Sequence, residues 1–298
     1  MMAASLHVYP GQDRPAGLLA VKLGLETHNI NIHTFPDGES LLRVTPVRGT
    51  AIIYASLDHP NDKLIHILQA AQALREGGAA RVVLVCPYLC YMRQDKAFHE
   101  GEAVTQKLLG PLLGPSFDRI ITVDPHLHRV STLAEVFPGR EADALSAAAL
   151  IGEAVTADDT LKDAVLVGPD GESRQWVAAA AQASGLEFIV ATKERFGDRD
   201  VQVCLPDADQ AKGRPAVIID DLISSGATMQ ACARLLVDAG ASRVEAMAVH
   251  AVCGEKDLGH LKEAGIARVR SCDGILHTTN AISLAPLLAK ALTREVSA

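Results

Sequence analysis

The chain has 298 residues, 48% of them hydrophobic and 21% charged. That composition supports a sizeable buried core, its length suggests two domains, and it excludes a disordered or fibrous protein. The formal net charge of −8 excludes an extended nucleic-acid footprint or a polybasic membrane patch, but not a local basic pocket. Aromatic residues make up 4%, too few for a single-strand stacking platform. No apolar run approaches the roughly 20 residues that cross a bilayer, so no membrane or nucleic-acid partner is expected. Residues 1–11 have neither a basic start nor an apolar stretch, so no secretory leader is expected. The six cysteines form no C-x-x-C pair and read as reduced thiols of a cytoplasmic protein.

Continuous apolar runs at 51–54, 81–85, 120–123, 164–167, 188–190, 216–219 and 244–249 predict strands. Runs of this kind mark strands buried on both faces of a parallel sheet. Ala/Leu-rich stretches at 62–76, 146–154, 174–184 and 227–239 predict helices between them, and 284–295 reads as a last helix. Strand and helix in alternation imply an α/β fold of parallel sheets flanked by helices, with right-handed crossovers. There is an internal repeat: Gly78-Ala-Ala-Arg-Val82 and Gly240-Ala-Ser-Arg-Val244 each follow an apolar strand and a helix. Two copies of one α/β unit are expected, over 1–145 and 146–298, with the last helix returning to the first copy. The small difference in spacing lies in the strand-to-helix loops.

Candidate chemistry recurs at strand ends. Phe35 offers a flat apolar face for a purine, with Asp37 and Glu39 as acceptors, although Pro36-Asp37-Gly38 also reads as a plain turn. Arg93, Gln94 and Asp95 follow the strand at 81–85 beside Lys96; such a cluster suits polyphosphate or is a solvated patch. His126 stands two residues after Asp124 at the end of another strand, where neutral imidazole can ligate a metal. Asp170 is a hard oxygen donor suited to Mg²⁺. Lys193 and Arg195 stand two apart in an extended segment, so they point the same way. The following stretch, 196–201, reads as a loop that closes over substrate or as an ordinary surface loop.

The sharpest segment is Asp220-Asp221-Leu-Ile-Ser224-Ser225-Gly226-Ala227-Thr228, at the end of a buried strand. A helix beginning near Ala227 presents unpaired N–H groups to an anion. Ser224, Ser225 and Thr228 add hydroxyls, and Gly226 allows close approach. The two acids face paired hydroxyls such as those of a ribose. No G-x-x-x-x-G-K-[ST] loop occurs.

This loop resembles the phosphoribosyl-diphosphate loop of type I phosphoribosyltransferase folds. Taken with Phe35–Glu39, Tyr91–Lys96, Thr122–His126, Gly168–Asp170 and Lys193–Arg195, in that order, the chain is similar over its whole length to the ribose-phosphate diphosphokinases. The resemblance implies two tandem phosphoribosyltransferase-like domains and transfer of the diphosphoryl group of ATP to the 1-hydroxyl of ribose 5-phosphate. It implies catalytic roles for Lys193 and Arg195, with Arg195 also touching substrate. It implies ATP contacts from Phe35, Asp37, Gly38, Glu39, Arg93, Gln94, Asp95 and His126. Asp220, Asp221 and Ser224 to Thr228 would hold ribose 5-phosphate, and His126 and Asp170 would be associated with Mg²⁺. It also implies a homo-oligomer, at least a dimer and up to a hexamer, in which the Phe35–Glu39 turn reaches a neighbouring subunit's ATP site. Two alternatives stay open: a phosphoribosyltransferase consuming phosphoribosyl diphosphate, and a non-catalytic regulatory paralogue. The departures are Ala227, where a glycine is frequent in the family, and Gly171-Glu172-Ser173, which adds an acid near the sugar. Ala227 raises the question whether the backbone there takes the family's conformation.

Overall fold

The computed structural model describes residues 4–195 and 201–296; of Lys193, Glu194, Arg195, Val201 and Gln202 it describes the backbone alone. The expected closing loop at 196–200 lies outside the described residues. Two compact units result. The first comprises residues 1–145, 274–276 and 283–298, the second residues 146–273 and 277–282.

In the first unit, β1 (Ser5–Val8), β2 (Thr27–Asn29), β5 (Thr50–Tyr54), β6 (Arg81–Val85), β7 (Arg119–Val123) and β8 (Glu141–Leu145) form one sheet in the order β2-β1-β5-β6-β7-β8. Every pairing in it is parallel. All five residues of β5 and of β7 are buried, Thr50, Arg119 and Thr122 along with the apolar side chains. The hairpin β3 (Asn31–Thr34) and β4 (Ser40–Arg43) stands apart as an antiparallel pair. Helices α1 (Asp13–Leu23), α2 (Pro60–Glu76), α3 (Gln106–Leu113) and α4 (Leu133–Val136) complete the run to residue 145. Helix α2 buries Leu64, Ile67, Ala70, Ala71 and Leu74 at helical spacing. At about 1.5–3 kcal/mol for each large aliphatic side chain, that stripe fixes the helix on the sheet.

The second unit repeats the plan. Strands β9 (Val165–Gly168), β10 (Phe188–Val190), β13 (Pro215–Ile223), β14 (Arg243–Ala251), β15 (Ile266–Cys272) and β16 (Asn280–Ile282) run in the order β10-β9-β13-β14-β15-β16. All are parallel. A hairpin again lies in chain order between the second and third strands of the sheet: β11 (Thr192–Arg195) pairs antiparallel with β12 (Val201–Cys204). The duplication therefore extends beyond the β-α-β unit marked by Gly78 and Gly240 to the whole strand order and to the inserted hairpin. The helices are α5 (Ala148–Thr156), α6 (Arg174–Ser184), α7 (Ala227–Asp238) and α8 (Glu255–Glu263). Helix α5 lies so close to α6 that a Cβ on Gly152 would stand 2.4 Å from the Ala180 carbonyl oxygen.

Helix α9 (Ala285–Val296) lies with the first unit, not the second. Its Glu295 carboxylate is almost fully buried and accepts hydrogen bonds from Arg81 Nε at 2.8 Å and Arg119 Nη1 at 3.0 Å. Among the described residues no helix is long and apolar enough to cross a membrane.

Candidate active site

Ligands of open parallel sheets bind beyond the carboxyl ends of the strands. In the second unit, β9 and β13 are neighbours with Val167 opposite Ile218. Continuing that register brings the turn after β9, with Asp170, beside Asp220 and Asp221 on β13. The Asp220 carboxyl is held well above the usual carboxylate range, first by burial, then by the charges of Asp221 and Asp170. Three acids thus share one strand-end region, and a cation or a set of hydroxyl donors would relieve their repulsion. Asp170 Oδ1 already accepts from the backbone N–H groups of Glu172 (3.1 Å) and Ser173 (3.2 Å). The departure Gly171-Glu172-Ser173 therefore builds a tight turn over the start of α6, closed by Ser173 Oγ donating to the Asp170 carbonyl at 2.6 Å.

Helix α7 begins at Ala227 and is preceded by Gly226 in the left-handed region, at φ 70°. A Cβ on Gly226 would meet Leu261 Cδ2 at 2.8 Å, so conformation and space both demand glycine. Ala227 is the first helical residue and is not among the positive-φ residues. Alanine in place of the frequent glycine therefore meets no backbone obstacle. Although Ser224 and Ser225 flank this terminus, no side chain caps it. The first-turn N–H groups of α7 have no side-chain acceptor, as is also the case at the start of α6. Ser224, Ser225 and Ala227 are exposed and Thr228 is half-buried. The loop has the shape of an anion cradle with two acids behind it.

Lys193 and Arg195 lie on β11 at register positions opposite Val203 and Val201.

In the first unit, the segment after β6 is pinned at several points. Tyr91 adopts φ 59°, and its hydroxyl donates to Asn61 Oδ1. Gln94 Oε1 accepts from Thr105 Oγ1 at 2.7 Å. The Gln94 carbonyl accepts from the Gln106 N–H at 3.2 Å. Arg93 and Gln94 are exposed. Asp95 differs: its side chain is 7% exposed and lies 3.4 Å from Arg129 Nε and 3.7 Å from His128 Nδ1. It is aimed at the protein rather than at solvent. His126 is half-buried, and its ring stacks on that of His128 with centroids 5.8 Å apart. Asp124, buried at the end of β7, holds φ 39°. Such strain in a non-glycine residue clusters at functional sites.

Phe35 to Glu39 form the tip of the β3–β4 hairpin. The Phe35 N–H donates to the Glu39 carbonyl at 2.8 Å, and the Gly38 N–H to the Phe35 carbonyl at 2.9 Å. Asp37 Oδ1 accepts from the Glu39 N–H at 3.0 Å. Gly38 takes φ 91°. The plain-turn reading is met, and the turn nonetheless presents Phe35, 40% exposed, at its tip. The Phe35 ring is met edge-on by His33 at 4.8 Å. The sequence reading named Asp124 only as a neighbour of His126 and overlooked His128 and Arg129, although they directly follow the segment it singled out.

Residues 12–115 match the N-terminal domain of ribose phosphate pyrophosphokinase, and residues 142–283 match the phosphoribosyl transferase domain. The chain is 32% identical over 276 residues to a ribose-phosphate pyrophosphokinase of Methanopyrus kandleri, covering 92% of this chain and 93% of the relative. It is 34% identical over 281 residues to ribose-phosphate pyrophosphokinase 2 of Archaeoglobus fulgidus, covering 94% and 97%. The crystal structure of phosphoribosylpyrophosphate synthetase from Mycobacterium smegmatis is similar, with a TM-score of 0.80 at 26% identity and 98% of each chain covered. With its duplicated sheets, its uncapped loop at Gly226 and relatives matched along nearly their whole length, the chain belongs to the ribose-phosphate pyrophosphokinase (diphosphokinase) family.

Proposed function

We propose that this chain transfers the β,γ-diphosphoryl group of ATP to the 1-hydroxyl of ribose 5-phosphate, giving phosphoribosyl diphosphate and AMP for nucleotide biosynthesis. The observation that carries the reading is the α7 terminus: open N–H groups beyond a left-handed glycine, with Asp220 and Asp221 directly before it. Ser224, Ser225, Gly226, Ala227 and Thr228 bind the 5-phosphate. Asp220 and Asp221 accept from the ribose hydroxyls and orient the 1-hydroxyl toward the β-phosphorus. Lys193 and Arg195 balance the charge that builds on the transferring group. In phosphoryl transfer such positioning and charge stabilisation supply most of the rate. Arg93, Gln94 and His126 contact the ATP phosphates, while Phe35, Asp37, Gly38 and Glu39 serve the adenine.

The residues present fit Mg²⁺. Among the described residues no cluster of three or more His, Cys, Asp or Glu could cage a metal. Magnesium does not need one, because it keeps its waters and is held by one or two carboxylates together with substrate phosphates. Asp170, in the acid-rich strand-end region, supplies such an oxygen, and His126 steadies the nucleotide. Bound there, the ion would neutralise phosphate charge. The working protein is a homo-oligomer, and its six free cysteines suit a cytoplasmic setting.

The test is incubation with ATP, Mg²⁺ and ribose 5-phosphate, followed by chromatography of the nucleotides. AMP and phosphoribosyl diphosphate in equal amounts are expected. ADP as the nucleotide product would mean single-phosphate transfer and would sink the reading.

A further inference from the structure

The Asp95 carboxylate poses a problem that the proposed chemistry leaves unsolved. Its Oδ2 is sealed from solvent and makes no hydrogen bond. A buried charge without compensation costs several kcal/mol, so such groups are paired or carry a function. A guanidinium and an imidazole of one neighbouring segment approach it. Arg129 Nε stands 3.4 Å from Oδ2 and His128 Nδ1 stands 3.7 Å from it. Both partners are 46% exposed, so the pair is buried on the carboxylate side and open on the cationic side.

The covalent connections give this pairing its meaning. Asp95 adjoins Gln94 and lies two residues from Arg93, in the segment after β6. His128 and Arg129 follow His126 in the segment after β7, and the His126 and His128 rings stack at an interplanar angle of 20°. The far side of the first segment is already fixed by Thr105 holding Gln94. Asp95 Oδ2 accepts no hydrogen bond, so at that atom the two segments are tied by charge.

We propose that Asp95 and Arg129, packed beside His128, form an electrostatic clamp that sets the spacing of Arg93 and Gln94 relative to His126, and so positions the ATP phosphates without touching them. Asp95 is thereby a positioning residue rather than the direct ATP contact that its place in the motif suggested. The inference rests on the reading of this region as the ATP site. A clamp of this kind tolerates no uncharged replacement, because a neutral partner leaves the sealed oxygen alone.

The test uses the full chain and two substitutions, Asp95→Asn and Arg129→Met. Arg129 is half exposed, so its substitution is expected to leave the melting temperature near that of the wild type even if Asp95→Asn does not. Binding of α,β-methylene-ATP, whose α–β linkage cannot be cleaved, is measured by calorimetry, and kinetics are measured with each substrate varied. Each variant should bind the analogue more weakly and lose roughly 10- to 100-fold in kcat/KM for ATP, the scale of a misplacement near one ångström. KM for ribose 5-phosphate should stay within about twofold, which a general loss of structure would not allow. The double variant should be no worse than the weaker single one, as expected of partners in one interaction. Arg129→Lys, which keeps a cation, should recover most of the loss. If the wild type binds the analogue but Arg129→Met binds it equally well with unchanged ATP kinetics, the clamp is overturned and the ATP reading stands. If the wild type does not bind the analogue, both fall.

Discussion

Gly226 and its two successors divide the labour of the proposed anion loop. Gly226 turns the chain, Ala227 starts the helix and Thr228 adds a hydroxyl. Gly226→Ala forces a side chain into φ 70° and against Leu261. The left-handed conformation alone costs about 1–2 kcal/mol. That variant should melt lower and show a raised KM for ribose 5-phosphate, whereas Ala227→Gly should cost no more than about 1 kcal/mol of stability. If Thr228 holds the 5-phosphate as proposed, Thr228→Val removes one hydrogen bond to a charged group, worth roughly 1.5–3 kcal/mol, so the KM for ribose 5-phosphate should rise about 10- to 100-fold. An unchanged KM would place the phosphate elsewhere. Lys193→Ala tests a different role. If Lys193 acts in the transition state, kcat should fall by at least about 100-fold, while ATP affinity changes much less. Retained turnover with lost ATP affinity would reduce Lys193 to a ground-state contact.

Elements were legible in proportion to how plainly their burial is written in apolar side chains. The central strands β5, β6 and β7 and their counterparts β9, β13 and β14 are built around mostly apolar runs and stand out. Strand β1 does not, because its sequence Ser5-Leu-His-Val8 looks half-polar although all four residues are buried. Helix α8 buries only Leu261, so it carries no apolar stripe to read. In α3, Gly110 and Pro111 interrupt the helical signal. Strand β15 hides Arg270 by pairing it with the fully buried Glu245 at 2.8 Å, a long-range contact that no local pattern announces. The loop at Gly226 was the most legible part of the site because it is contiguous. The Asp95–Arg129 pair, 34 positions apart in the chain, was not.

The buried polar residues of these elements carry testable energetics. His7 on β1 is fully buried, and its pKa is lowered from 6.5 to about 4, first by desolvation and then by His28. Between those values the unfolded chain binds a proton that the folded protein refuses. The contribution of His7 is therefore complete above pH 6.5 and lost as pH falls toward 4, a loss of at most about 3 kcal/mol. Urea midpoints at pH 7 and pH 5 should differ less in His7→Leu than in the wild type; an equal difference would deny His7 this role. Glu295 on α9 makes the opposite case. Burial would raise its carboxyl pKa, but hydrogen bonds and charge from Arg81 and Arg119 hold it below the usual range. Glu295→Ala removes one of the two carboxylates of Arg119, itself almost buried, and leaves it Asp143 at 2.6 Å. Breaking a buried pair costs about 3–5 kcal/mol, and no more than the lower end applies because Arg119 keeps Asp143 and Arg81, 30% exposed, keeps Glu141. Denaturant unfolding of Glu295→Ala should show that loss.

At the scale of the whole molecule, duplication places two hairpins at equivalent points of the chain, β3–β4 in the first unit and β11–β12 in the second. One bears Phe35, Asp37 and Glu39 at its tip; the other bears Lys193 and Arg195 on its first strand. We propose that the two hairpins meet across a subunit boundary, the Phe35 tip of one chain serving the ATP whose diphosphoryl group the β11 strand of another chain helps to transfer. The exposure of Phe35, 40% in the single chain, suits a side chain that is covered only on assembly or on binding nucleotide. The protein should then be at least a homodimer, most simply with twofold symmetry. Complementation decides the matter. One variant carries Phe35→Ala and Glu39→Ala, the other Lys193→Ala, and each should be nearly inactive alone. Dissociating and reassembling an equal mixture creates interfaces in which an intact tip from one chain meets an intact β11 from the other. Such a mixture should recover a substantial part of the activity of wild type taken through the same cycle, with native mass spectrometry confirming mixed assemblies. If the assemblies mix and activity stays absent, each hairpin tip serves its own chain.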